Sequence, residues 1–159
     1  MKKLFLWNSL FWFVVHMVIS TLGTIIPSNF FIRYANLFKS WPFEEEGRFW
    51  QKYFKVKVWK QHLPNGQSFN PAVRSHTTVA KSASYAELHQ FIIETRRAEL
   101  IHALSILPAF IFLPAAKPIK YINITYALAA NLPCWIAQRY NRPNLERYAE
   151  KVLQREKGD

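Results

Sequence analysis

The chain has one cysteine, Cys134, among 159 residues. No intramolecular disulfide can form, so nothing covalent staples the fold. Cys134 lies in an apolar run, where a thiol is inert packing. Glycine is also scarce, with four residues, and none belongs to a Gly-rich dinucleotide loop. Neither a Gly-x-Ser-x-Gly elbow nor a His-Glu-x-x-His metal motif occurs, which removes the soluble-type nucleophile sites and gives no metal or cofactor expectation. Acid is the third shortage: 10 Asp and Glu stand against 21 Lys and Arg, for a net charge of +11. On a chain that is half hydrophobic and 16% aromatic, this basic excess suits anionic lipid headgroups and cytoplasmic loops. Nucleic acid is the competing partner for a basic chain. Zinc spacing, a recognition loop and RNA-binding signatures are all missing, so no nucleic-acid partner is expected.

The apolar residues gather in three blocks rather than spreading through a soluble core. Met1-Lys2-Lys3 leads into Leu4–Ile26, long enough for the roughly 20 residues a membrane helix needs. This run exceeds the h-region of a signal peptide, and bulky Ile25-Ile26-Pro27 offers no small-residue cleavage site. A retained anchor ended by Pro27 is expected. His16 inside it reads as a hydrogen-bonding tie to a neighbouring helix.

Residues 27–84 read as an interfacial or cytoplasmic segment. Asn29–Phe43 is rich in Phe, Tyr and Trp, and Phe54–Lys60 alternates lysine with aromatic and aliphatic residues, as a short strand or an interfacial stretch does. Asn65-Gly66 signals a turn and Gln67–Ser84 a polar loop. Ser84 with Glu87 forms a capping box that starts a helix at Tyr85. The helix is expected to run to Leu113, kinked at Pro108. After the connection at Pro114–Lys120, Tyr121–Ala137 is a second apolar stretch. Together, residues 85–137 read as a helical hairpin at the lower length limit for spanning. Gln138–Pro143 closes it, and residues 138–159 form a basic amphipathic tail. The expected architecture is mainly α: one membrane-embedded domain over residues 1–159, with an N-terminal transmembrane helix (4–26), a small interfacial segment and a C-terminal helical hairpin. The segment Pro27–Ala98 carries 11 Lys and Arg and the tail from Gln138 carries six, which points both to the cytoplasmic face of a multi-pass bacterial membrane protein.

The chemistry concentrates in Ile93–His102, where two acids, two arginines and a histidine run straight into apolar Ala103–Ala116. On a helix, Glu94, Glu99 and His102 fall within an arc of roughly 140°. Ionisable groups arriving at membrane depth need partners or a task. An interfacial anchor is the simpler reading. The catalytic reading makes His102 a general base, with Glu99 or Glu94 fixing its tautomer. A sugar hydroxyl would then attack an acyl thioester, with Arg97, Arg139 or Arg142 holding the donor's phosphates or the developing oxyanion. His89 and Glu94 imitate the His-x4-acid spacing of glycerolipid acyltransferases in a different context. Asn123 and Asn131, eight residues apart, share a helix face and are expected to face Glu94, Glu99 and His102.

At these residues the chain resembles the bacterial glycosyl-4,4'-diaponeurosporenoate acyltransferases. The similarity is carried by Glu94–His102, Ser105-Ile106-Leu107-Pro108, Lys120–Ile124 and Gln138–Pro143, with further matches at Leu22-Gly23-Thr24, Phe38-Lys39-Ser40, Gly47-Arg48-Phe49-Trp50 and Trp59-Lys60. It runs from about Leu22 to Arg142. The resemblance implies a membrane enzyme of C30 carotenoid biosynthesis that esterifies the glucose C6 hydroxyl of a glycosylated carotenoid acid with a fatty acyl chain, as in staphyloxanthin formation. The implied partners are the membrane, the glycosylated carotenoid, an acyl donor (acyl-CoA or acyl-carrier protein) and other enzymes of the pathway. The alternative is a non-catalytic subunit that binds or scaffolds a carotenoid or glycolipid. A cluster fully consumed by Glu–Arg pairing is the mark of that second reading.

Overall fold

The computed structural model describes residues 2–63 and 83–158. Helix α1 (Lys2–Ile25) is followed by α2 (Ser28–Arg33), 3-10 turns at Ala35–Phe38 and Pro42–Gly47, α3 (Arg48–Phe54), α4 (Val56–Trp59) and a 3-10 turn at Lys60–His62. After the undescribed segment come α5 (Tyr85–Ile106), a 3-10 stretch at Leu107–Phe112 and α6 (Lys117–Gly158). There is no strand among the described residues. The turn at Asn65-Gly66 and most of the loop read over Gln67–Ser84 lie outside them.

Proline sets two of the boundaries and a capping serine sets a third. Pro27 sits in extended conformation at the start of α2 and closes α1 at Ile25. Ser84 caps α5: its hydroxyl accepts from the Glu87 amide while Glu87 reaches back to the Ser84 amide at 2.8 Å. At Pro108 the chain tightens into a 3-10 stretch, so α5 stops at Ile106 rather than continuing kinked to Leu113. The alternating Phe54–Lys60 stretch is helical, not a strand.

The largest departure from the sequence expectation is α6. Gln138–Pro143 does not close one helix before another. The helix runs unbroken for 42 residues through Pro133 and Pro143. Packing along both halves outweighs the hydrogen bonds the prolines remove. Ile136 and Tyr140 bury against Trp50 and Val56, and Ala149 against Leu88 and Ile92. α5 and α6 lie antiparallel, with successive contacts His102–Asn131, Glu99–Arg139, Arg96–Glu146 and Tyr85–Glu156.

α1 joins the far end of this pair. Trp12, Ala109 and Ala127 form one buried cluster, and Gly23 packs so close to Ile101 that an added Cβ would lie 2.4 Å from that side chain. Elsewhere α1 is open: Phe5, Trp7, Phe13 and Ile25 are each more than 60% exposed. Phe5–Ile25 has a mean hydropathy of 1.6 and is long and apolar enough to cross a membrane. Phe110, Ile111, Tyr121 and Ile122 are exposed as well, which adds apolar surface on the 3-10 extension of α5 and on α6.

The 3-10 turn Pro42–Gly47 carries the main backbone strain. Glu45, Glu46 and Gly47 are consecutive left-handed residues, with φ of 48°, 56° and 93°. Gly47 also faces α6, where an added Cβ would meet the Tyr140 carbonyl at 2.9 Å. Gly47→Ala is therefore expected to destabilise the protein by about 2 kcal/mol, read as a lowered unfolding midpoint in detergent. Gly158→Ala, in open space, is the control that leaves the midpoint unchanged. Equal midpoints for the two variants would contradict this account of the turn.

Candidate functional site

The left-handed turn at residues 45–47 delivers Glu44 into the interior, with no exposed surface. Its carboxylate accepts hydrogen bonds from the Trp41 amide at 2.7 Å, Trp50 Nε1 at 2.8 Å and Arg139 Nε at 2.9 Å, and a second from Arg139 Nη2. Arg139 Nη1 also donates to Glu99 at 3.0 Å, and Arg142 Nη1 holds the other Glu99 oxygen. The arginines finish on backbone: Arg139 on the Lys39 carbonyl at 3.1 Å and Arg142 on the Phe38 carbonyl. Trp41 covers the Arg139 guanidinium at 4.3 Å. Two acids and two arginines thus form a neutral, almost fully buried quartet.

A second pair sits at the junction of α1 and α5. Arg97 Nε donates to Glu94 at 3.0 Å, and its Nη1 donates to the Gly23 carbonyl at 2.7 Å and to that of Ile26. It thereby satisfies carbonyls left open by the end of α1. Gln90 donates to the other Glu94 oxygen at 3.0 Å. A polar cavity of about 380 Å³ opens here, lined by Thr24–Ser28, Gln90, Glu94 and Arg97.

His102 stands apart from the carboxylates. Its Nδ1 lies 3.2 Å from Asn131 Oδ1 on α6, and neither Glu94 nor Glu99 is its hydrogen-bond partner. The Asn131 amide nitrogen donates to the Ala127 carbonyl at 3.0 Å, so Oδ1 must face the imidazole. An amide oxygen can only accept, so Nδ1 carries the proton and Nε2 holds a free lone pair. Asn123 is buried against α1 instead, accepting from Trp12 Nε1 at 2.7 Å. His16 packs against the Trp12 and Tyr126 rings, with 5.8 and 6.1 Å between centroids. Its Nε2 is buried without a hydrogen-bond partner among the described residues. Beyond His102, Ile106, Phe110, Leu113, Ile124 and Leu128 line an apolar cavity of about 150 Å³.

The structure therefore divides the residues singled out from the sequence into four groups: Glu99 with Arg139 and Arg142, Glu94 with Arg97, His102 with Asn131, and Asn123 with Trp12 on α1. Glu44 was missed. Three successive acids carry no local sign of burial, and the available signal was Trp50, whose indole N–H needs an acceptor once buried. On the exposed side, Lys60 donates to Asn141 at 2.6 Å, and burial together with neighbouring Lys57 lowers its pKa. His89 makes a ring contact with Tyr85, 5.8 Å between centroids.

Removing one member of the quartet strands a buried charge. Glu99→Gln is expected to cost about 3–5 kcal/mol, whereas Glu45→Gln, which loses only the exposed pair with Arg48, should cost less than about 1 kcal/mol. Denaturant unfolding of the two variants checks the contrast, and a Glu99→Gln variant as stable as the parent would contradict it.

A family model described as glycosyl-4,4'-diaponeurosporenoate acyltransferase matches residues 34–151. A Staphylococcus haemolyticus (strain JCSC1435) protein of that name is 38% identical over 154 residues, covering 97% of this chain and 90% of its own. Proteins of that name from Staphylococcus aureus strains N315 and MRSA252 are 44% identical over 137 residues, 86% of this chain and 82% of theirs. No solved structure matches. The match contains the quartet's Glu44, Glu99, Arg139 and Arg142 as well as His102 and Asn131, and the chain is an acyltransferase-type enzyme belonging to the glycosyl-4,4'-diaponeurosporenoate acyltransferase family.

Proposed function

We propose that this chain transfers a fatty acyl group from an acyl thioester to the glucose C6 hydroxyl of a glycosylated C30 carotenoid acid, at the bacterial cytoplasmic membrane, as in staphyloxanthin formation. The name that its relatives carry supports the glycosylated C30 acceptor and the acyl transfer. In this reading the C-terminal half of α5, its 3-10 extension and the first half of α6 enter the membrane beside α1, with the basic segments on the cytoplasmic face. The exposed apolar surface of α1 and of Phe110, Ile111, Tyr121 and Ile122 supports it.

The observation that carries the mechanism is the tautomer fixed at His102 by Asn131. An amide does here what a carboxylate does in a Ser-His-Asp site, as in Cys-His-Asn proteases. His102 Nε2 takes the proton of the C6 hydroxyl as its oxygen attacks the thioester carbonyl. The C–S bond breaks, the ester C–O bond forms, and the thiol leaves with the proton. The unpartnered Nε2 of His16 is a nearby polar atom that a bound substrate can satisfy. The acyl chain enters between α5 and α6, where the apolar cavity lies.

Glu99, Arg139 and Arg142 serve in this scheme by holding α5, α6 and the interfacial turns in register, because their charges are already spent on each other. Exposed Lys52, Lys55 and Lys57 are left to receive the phosphates of acyl-CoA or the acidic face of an acyl-carrier protein.

His102→Gln keeps a hydrogen-bonding side chain but cannot take a proton. In liposomes supplied with glycosylated acceptor and acyl-CoA or acyl-carrier protein, this variant should fold and insert normally and turn over about 10²–10⁴-fold more slowly. Parental turnover by a well-folded variant would end the assignment.

A further inference from the structure

We infer that the polar cavity where α1 meets α5 is the seat of the acceptor's sugar, and that it selects a neutral hydroxyl-rich headgroup over a phosphate. The inference rests on the acyltransferase reading above and deepens it. The cavity, about 380 Å³, falls in the range of small-molecule sites. Glu94 and Arg97, more than nine-tenths buried, form its deeper wall. Gln90 and the hydroxyls of Thr24 and Ser28 complete the polar lining.

Charge decides between ligand classes. The carboxyl end of α1 points at this cavity, and a helix C-terminus carries about half a negative charge. The last turn of α1 holds no basic residue to offset it. Glu94 adds a carboxylate. The one cation, Arg97, is neutralised by Glu94 at 3.0 Å and bonded to the Gly23 and Ile26 carbonyls. A phosphate would meet the Glu94 carboxylate, and the lining offers it no cation that is not already paired. An alkyl chain would leave buried polar groups without partners. A sugar presents alternating donors and acceptors, which Glu94, Gln90 and the hydroxyls of Thr24 and Ser28 can match.

The position fits the chemistry. Arg97, in the cavity lining, is five residues from His102, about 7.5 Å of helix rise and roughly 140° of turn around α5. A hexose seated against Glu94 and Arg97 lies one layer above the base, and its hydroxymethyl arm reaches His102 by passing down and part of the way around α5. The polyene leaves into lipid past the exposed end of α1.

Binding can be read without turnover. The full chain in phosphatidylcholine nanodiscs is titrated with hexyl β-glucoside and, separately, hexyl phosphate, using saturation-transfer NMR. The glucoside should bind the parent and His102→Gln equally, weaken by about tenfold or more in Ser28→Phe and Gln90→Leu, and resist competition by hexyl phosphate. Parental glucoside binding in both cavity variants, or equal competition by hexyl phosphate, overturns the assignment and leaves the role of His102 standing. An inactive His102→Gln variant that still binds the glucoside supports both, and an active one removes the base without touching the cavity.

Discussion

The buried quartet of Glu44, Glu99, Arg139 and Arg142 is the interaction on which the rest depends. Four charges out of water cost several kcal/mol each unless every donor and acceptor is met, and here nearly all are. Two oxygens of Glu44 and two of Glu99 face the two guanidinium groups, and the spare N–H groups end on the Phe38 and Lys39 carbonyls. Such a cluster tolerates one arrangement of its helices. It ties the 3-10 turns to α5 and α6 at one level, and it holds α6 helical through Pro143, beside Arg142. The strain in residues 45–47 is the cost of bringing Glu44 to that level.

Full Glu–Arg pairing was also the sign that would have marked a scaffold. Glu94 and Glu99 are paired as that reading required, yet His102 lies outside the pairing, with its own partner on α6. The carboxylates hold the architecture, and the imidazole is left with a fixed proton and an open nitrogen. Along α5 the groups follow in layers: the polar cavity at Glu94 and Arg97, then His102 with Asn131, then the apolar cavity at Ile106 and Phe110. An amphiphile with a sugar head and an acyl thioester would each find a matching layer on either side of the same base.

Much of this was legible in local sequence, because local physics decides it. Pro27 closes α1, Ser84 and Glu87 cap α5, and Leu4–Ile26 has the length and composition of an anchor. Glu94 and Arg97, three residues apart on one helix, pair as helical spacing dictates. The unbroken α6 was not legible, since Pro133 and Pro143 argue locally for a break and only packing against α3, α4 and α5 overrides them. Glu44 and Arg139 are 95 residues apart, and no periodicity connects them. Neither could spacing on α5 reveal that His102 turns to Asn131 on another helix rather than to an acid on its own. The strings that carry the family resemblance did point to the place: Phe38-Lys39-Ser40, Gly47–Trp50, Glu94–His102 and Gln138–Pro143 all meet at or beside the quartet.

The measurement that tests the central claim most directly is lipid mass analysis of a host that makes the glycosylated C30 carotenoid acid, with and without this chain. The account predicts a carotenoid glycoside whose mass rises by one fatty acyl residue when the chain is present, with fragmentation placing the ester on the glucose C6 oxygen. An unaltered glycoside in a host that produces the folded, membrane-inserted chain would contradict it.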